Sequence, residues 1–200
     1  CLCGSRIFVQ RSIYQKFKEA LKEKASKMVI GDPLSEKTDL GALVSKGHFD
    51  KVSSYIDLAK EEKGTVLFGG EKPNLDTSLK DGYYLKPTLI EGLDPFSRTN
   101  QEEIFGPIAS ITPFDSEEEV LKWANSTTYG LAGTIWTQDL KRAHRLANKV
   151  NSGILWVNCW MKRDLRTPFG GLKQSGVGKE GGLYALNFFT EEKNICVDFS

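Results

Sequence analysis

Strand-like and helix-like stretches alternate along most of this chain, and that alternation restricts the fold more than any other feature. SRIFVQ, residues 5–10, has the β-branched and aromatic content of a strand, and a helical period follows it at once. Ser12 stands where it would cap a helix running to about Met28, with Ile13, Phe17, Leu21 and Met28 on one face. Ser45 stands where it would cap a second helix, to about Glu62, with Phe49, Val52, Ile56 and Ala59 inward. TVLFGG, YYLKPTLIEGL and PIASITPF read as strands, with Pro87 marking an edge or bend. Ser116 and Glu119 form a capping box for a helix through about Asn125. YGLAGTIWT reads as a strand, Asp139 caps a helix that turns Leu140, Ala143, Leu146, Ala147 and Val150 inward, and GILWVN reads as a buried strand. LYALNFFT then reads as a short helix and KNICVDF as a final strand. This order predicts an α/β layer structure, a largely parallel sheet with flanking helices. The final strand stands outside the alternation and is free to pair with another chain.

Composition narrows the partners. The net charge is +1, with Lys and Arg interspersed among Asp and Glu, so no basic patch points to nucleic acid or to an anionic membrane surface. No apolar run approaches the roughly 18 residues a membrane-crossing helix needs. Four cysteines at 1, 3, 159 and 196 are too sparse for a disulfide scaffold. Cys3, Cys159 and Cys196 are expected to be reduced and mostly buried, as in a cytoplasmic protein. With only His48 and His144 available, both on expected helices, no metal site is predicted.

The stretch TPFGGLKQSGVGKEGG, residues 167–182, poses a sharper question. Gly176, Gly178 and Gly181 match the spacing of the G-x-G-x-x-G dinucleotide fingerprint, and Asp198 lies near the expected downstream acid. That fingerprint must follow a buried strand and open a helix inside a βαβ unit. Here it follows the charged, proline-broken MKRDLRTPFGG and lies close to the end of the chain. A phosphate-binding P-loop is excluded too, because Lys179 is followed by Glu180 rather than Ser or Thr. The glycines therefore serve close backbone packing and turns with positive φ.

Besides C-x-x-G-S-R at the start, seven segments in this order and at these spacings carry a resemblance over the whole chain: GDP at 31–33, G-x-L-V-S at 41–45, YYLKPTL, EEIFGP, YGLAGTIWT, SGILWVN and PFGGLKQSGVGKE. Together they resemble the aldehyde dehydrogenase superfamily. The resemblance implies a partial catalytic domain over 1–188 that starts at the nucleophile, an oligomerisation strand over 189–200, and an NAD-binding domain upstream. It implies NAD as cofactor, a homodimer or homotetramer, and no turnover by this chain alone. The general base, the oxyanion asparagine and the residue that would tell NAD from NADP would all lie upstream. Cys1 corresponds to the family's nucleophile, whose thiolate adds to an aldehyde and passes through a thioester. Glu103 corresponds to the glutamate that binds the nicotinamide ribose, with Phe105 beside the ring and Glu102 as scaffold. Asn158 matches an asparagine that supports the catalytic loop, and Phe169 faces the substrate. Glu180 matches a buried glutamate that relays protons toward the deacylating water; from sequence alone it also reads as an acid at a helix N-terminus.

The specificity signal is N-C-W-M-K-R-D-L-R, residues 158–166. An apolar tunnel wall with Arg163 in it is costly unless the arginine meets an anion, and its fork matches a carboxylate. The stretch resembles the subfamily acting on 2-aminomuconate and 2-hydroxymuconate semialdehydes, with Trp160, Arg163, Phe169 and Arg166 as substrate-binding residues. Three alternatives stay open from the sequence. Arg163 could be a surface arginine paired with Asp164, the substrate could be another acidic aldehyde of the succinate semialdehyde type, or the chain could be a non-catalytic descendant of the fold.

Overall fold

The computed structural model describes residues 1–200. They form two compact units, one of Cys1 and Cys3–Ser126, the other of Leu2 and Thr127–Ser200. The first unit is built on β1 (Arg6–Gln10), α1 (Tyr14–Ser26), α2 (Lys46–Glu61), β2 (Thr65–Phe68), β3 (Thr88–Glu91), α3 (Arg98–Gln101), β4 (Ile108–Phe114) and α4 (Glu117–Ala124). Its sheet runs β1-β4-β3-β2, with β1, β4 and β3 parallel and β2 antiparallel at one edge.

The core follows from the period of a strand. Side chains alternate faces along β3, so Leu89 and Ile90 point into different layers. Ile90 joins Val52, Ile56 and Ala59 of α2 with Leu85, Leu93 and Ile108. Leu89 joins Val9, Tyr14 of α1 and Ile111. Helices thus cover both faces, which is why β3 is buried at three consecutive positions rather than at every second one.

The second unit holds β5 (Tyr129–Gly130), β6 (Ala132–Ile135), α5 (Leu140–Ala147), β7 (Ile154–Val157), β8 (Leu172–Lys173) and α6 (Gly182–Phe189). β6 and β7 pair in parallel, and β5 and β8 antiparallel. Few apolar side chains here are buried, Ala143 and Trp156 among them. No helix of the chain is long and apolar enough to cross a membrane.

Three caps are as expected: Ser45 Oγ accepts from His48 N–H, Ser116 Oγ from Glu119 N–H, and Asp139 Oδ1 from Arg142 N–H. Several expectations need correction. Ser12 caps nothing; it sits inside a 3-10 turn over Arg11–Ile13, and α1 starts at Tyr14 without a side-chain cap. Ile13, Phe17 and Met28 are substantially exposed, so only part of the expected α1 face is covered. The carboxylate of Glu119 accepts from Asp115 N–H, one residue before the cap, so the box is not reciprocal. YYLKPTLIEGL is a strand only from Thr88, because Pro87 precedes it without a donor to offer. Gly130 and Ala132 belong to separate strands, which splits YGLAGTIWT in two. Leu140 is exposed at the first turn of α5. The cysteines are free thiols but not mostly buried: Cys1, Cys3 and Cys196 are exposed and Cys159 is intermediate. KNICVDF forms no strand in the single chain, since nothing there offers its backbone a ladder.

Candidate active site

The Glu103–Phe105 loop is seated by residues on α2 and α3. α3 has only four residues, and its N-cap Ser97 makes no side-chain cap bond. Glu62 replaces that cap from the end of α2: its carboxylate accepts from Arg98 N–H (2.8 Å), Thr99 N–H (3.2 Å) and the Thr99 hydroxyl (2.6 Å). Glu102 then faces back. It accepts from Arg98 at 2.7 and 3.1 Å and from the Tyr55 hydroxyl at 2.7 Å, and those two donors hold its carboxyl below the usual glutamate range. Glu102 is scaffold, as expected.

Glu103 is held by its backbone only. Its carbonyl accepts from Lys51 Nζ at 2.9 Å, and the carboxylate is exposed with no hydrogen bond inside the chain. Phe105 has φ of 61°, uncommon away from glycine. His48 Nε2 donates to the Phe105 carbonyl at 2.7 Å, which fixes that turn and leaves the ring half-exposed. Gly106 closes the loop: a Cβ there would lie 2.5 Å from Cγ1 of fully buried Val52. His48 and Lys51, one helical turn apart on α2, were not singled out by motif reading. The signal for them is their spacing on one helix face ahead of an acidic loop.

Cys1 is exposed and lies a short way before β1. Ser5 N–H donates to the Cys3 carbonyl at 2.9 Å, and Ser110 N–H donates to the Ser5 carbonyl at 2.9 Å. The segment behind Cys1 is therefore tied to β4 of the buried sheet.

In the second unit, Asn158 has φ of 52° and pins the turn after β6 with both ends of its amide: Oδ1 accepts from Thr137 N–H at 2.9 Å and Nδ2 donates to the Thr137 carbonyl at 2.7 Å. Trp156 donates its indole N–H to the Lys162 carbonyl at 2.8 Å, and its ring lies 5.0 Å from that of Trp160. Beyond them, Asp164 is taken by Arg166 (2.6 Å), whose side chain is 89% exposed. Arg163 does not pair with Asp164. Its guanidinium carbon lies 3.7 Å from the centroid of the Phe169 ring, and Nη2 lies 3.5 Å from Glu180 Oε1. The structure thus brings Arg163, Phe169 and Glu180 together and leaves Arg166 apart from them. The expectation of a buried Glu180 is corrected: its side chain is 62% exposed, and it precedes α6 by two residues rather than lying in its first turn.

The glycine-rich segment is folded by close backbone approach. Lys179 Nζ donates to the Gly170 and Gly171 carbonyls, both at 2.7 Å, drawing the two ends of the loop together. A Cβ on Gly153 would come within 1.8 Å of the Gly170 oxygen. Gly181 has φ of 96° and faces the Thr167 carbonyl, where a Cβ would be 2.3 Å away. The role of Lys179, like those of His48 and Lys51, leaves no motif: its ammonium serves here as a staple for carbonyls.

Comparison with known proteins matches residues 1–195 to the aldehyde dehydrogenase family. The chain is 49% identical to a 2-aminomuconic 6-semialdehyde dehydrogenase of Pseudomonas sp over 98% of this chain and 40% of that protein. It is 48% identical to a 2-hydroxymuconic semialdehyde dehydrogenase of Pseudomonas sp. (strain CF600), again over 98% and 40%. Among solved structures, an aldehyde dehydrogenase from Bacillus cereus in complex with NAD+ superposes with a TM-score of 0.90 at 41% identity, covering 98% of this chain and 39% of that one. Betaine aldehyde dehydrogenase from Staphylococcus aureus, also with NAD+, gives 0.90 at 40% identity over 94% and 37%. The chain spans about 40% of the length of the curated relatives it matches. With the fold, the order of the motifs and the family match in agreement, this chain belongs to the aldehyde dehydrogenase family.

Proposed function

We propose that this chain serves an NAD-dependent semialdehyde dehydrogenase whose substrate carries a carboxylate, of the 2-aminomuconate or 2-hydroxymuconate type. The observation that carries the substrate class is Arg163. It is a partly exposed guanidinium set over an aromatic ring, with one nitrogen 3.5 Å from a carboxylate and its remaining donors unused within the chain. A guanidinium has five donors in a fixed fork, and a planar carboxylate is the ligand that fits them. The names of the semialdehyde dehydrogenases to which the chain is similar support the same reading.

The residues fit the cofactor. The exposed carboxylate of Glu103 has both oxygens available to accept from vicinal hydroxyls, and the half-exposed Phe105 ring is steadied through its backbone to flank a flat heterocycle. NAD, when bound, supplies a hydride acceptor. Cys1 as thiolate adds to the aldehyde carbon, giving a thiohemiacetal; loss of hydride leaves a thioester, and water releases the acid. Glu180 takes part in moving the proton of that water, and Arg163 holds the distal carboxylate, with Phe169 and Trp160 providing the aromatic surface. A catalytic-domain portion over 1–188 and an assembly segment over 189–200 complete the proposal.

Arg163→Ala in the full-length enzyme tests it. kcat/KM for a carboxylate-bearing semialdehyde should fall by roughly 10²-fold, about 3 kcal/mol, while an uncharged aldehyde of similar length changes little. Arg166→Ala, with its guanidinium committed to Asp164, should change neither. Equal losses on both aldehydes for Arg163→Ala would make that residue structural and remove the substrate class.

A further inference from the structure

We infer that Glu180 is the resident counter-ion of Arg163 and thereby sets how tightly the enzyme holds a carboxylate. The inference rests on the reading of Arg163 as the carboxylate-binding residue. The backbone makes the partnership. Phe169 N–H donates to the Glu180 carbonyl at 2.7 Å, and Glu180 N–H donates to the Phe169 carbonyl at 2.8 Å. These bonds form an isolated antiparallel bridge, and directly opposed residues of such a pair send their side chains to the same face. Arg163 meets both on that face. Its guanidinium carbon lies over the ring at 3.7 Å from the centroid, and Nη2 reaches the carboxylate at 3.5 Å.

Nearby charges leave Glu180 as the partner. Asp164, adjacent in sequence, is engaged by Arg166 through contacts at 2.6, 2.9 and 3.2 Å. Glu180 touches Arg163 through one long contact, not a bidentate fork. The arginine is thus kept paired and stacked, while most of its donors stay open to a ligand. An incoming carboxylate then shares its arginine with a fixed negative charge, and the repulsion between the two carboxylates lowers its affinity. Ring stacking from Phe169 keeps the guanidinium in place when the counter-ion is removed.

The test reads binding without chemistry. In the full-length enzyme, muconate, a six-carbon dicarboxylate, competes against an uncharged aldehyde, and its inhibition constant is measured for the wild type, Glu180→Gln, Arg163→Ala and the double variant. Glu180→Gln should lower that constant roughly fivefold, the scale of one partly exposed charge pair. In the Arg163→Ala background the same change should have no effect. Any part of Glu180 in proton transfer shows separately, as an equal fall in kcat on charged and neutral aldehydes. Glu180→Ala removes the same charge and must reproduce the tighter inhibition. If Glu180→Gln leaves the constant unchanged or raises it while Arg163→Ala still weakens muconate, the counter-ion role is overturned and the substrate reading stands. A tightening that persists without Arg163 also overturns it. If Arg163→Ala leaves muconate binding unchanged, the substrate reading fails and the counter-ion role goes with it.

Discussion

The loop at 98–106 and the segment at 158–182 both carry candidate ligand-binding residues, yet they are held by different forces. The first is seated on a buried sheet and helix. Gly106 lies against Val52, Glu62 caps α3, and Lys51 and His48 grip two successive parts of the turn. The second is held by surface chemistry: a guanidinium on a ring, an ammonium on two carbonyls, and an aspartate on an exposed arginine. The difference suits their proposed tasks. A cofactor common to a whole family calls for a rigid mount, whereas a substrate pocket that differs between relatives is better written in residues whose replacement leaves the core intact.

The contrast extends to the ends of the two units, and it can be broken. α6 and the residues after it expose Leu183, Phe188, Phe189, Ile195, Val197 and Phe199, a density of apolar surface that single chains avoid unless it is covered. Deleting residues 190–200 from the full-length enzyme should convert a dimer or tetramer into monomer or aggregate, read by sedimentation. A truncated protein of unchanged size would show that the second unit needs no partner there. Next in size, Ile90→Ala in the buried sheet should cost about 2–5 kcal/mol of stability, read from the denaturation midpoint, while Leu140→Ala at a 71% exposed position should cost under about 0.5 kcal/mol. Similar costs would erase the distinction between the units.

The smallest expected effect sharpens the mount itself. Arg98 and Tyr55 depress the Glu102 carboxyl in the folded state, so its contribution is present above the unfolded value of about 4.3 and is lost as pH falls through the lower folded value. Amide protection across 98–106 should therefore hold from neutral pH to about 5 and decline below about 4, with Glu102→Gln showing no such decline. An identical acid response in that variant would move the effect to another group.

How much of this was legible in sequence depended on range. Ser45, Ser116 and Asp139 were read correctly as caps because a cap is local chemistry, completed within three residues. Ser12 failed because the strand before it runs into a 3-10 turn, which shifts the helix start past it. Leu140 and the outer face of α1 failed because periodicity says which residues share a side but not whether anything covers that side. The substitution of Glu180 for Asp164 as the partner of Arg163 was out of reach, since it depends on a cross-bridge between residues 169 and 180. Lys51, His48 and Lys179 act through backbone carbonyls, which leave no motif.

The central claim is that Cys1 forms the acyl-enzyme. Full-length enzyme quenched during turnover of a carboxylate-bearing semialdehyde with NAD, then digested and mapped by mass spectrometry, tests it directly. The substrate-derived acyl mass is expected on the thiol of Cys1 and not on Cys3, with Cys1→Ser abolishing both adduct and turnover and Cys3→Ala keeping both. Acylation of Cys3, or full turnover by Cys1→Ser, would contradict it.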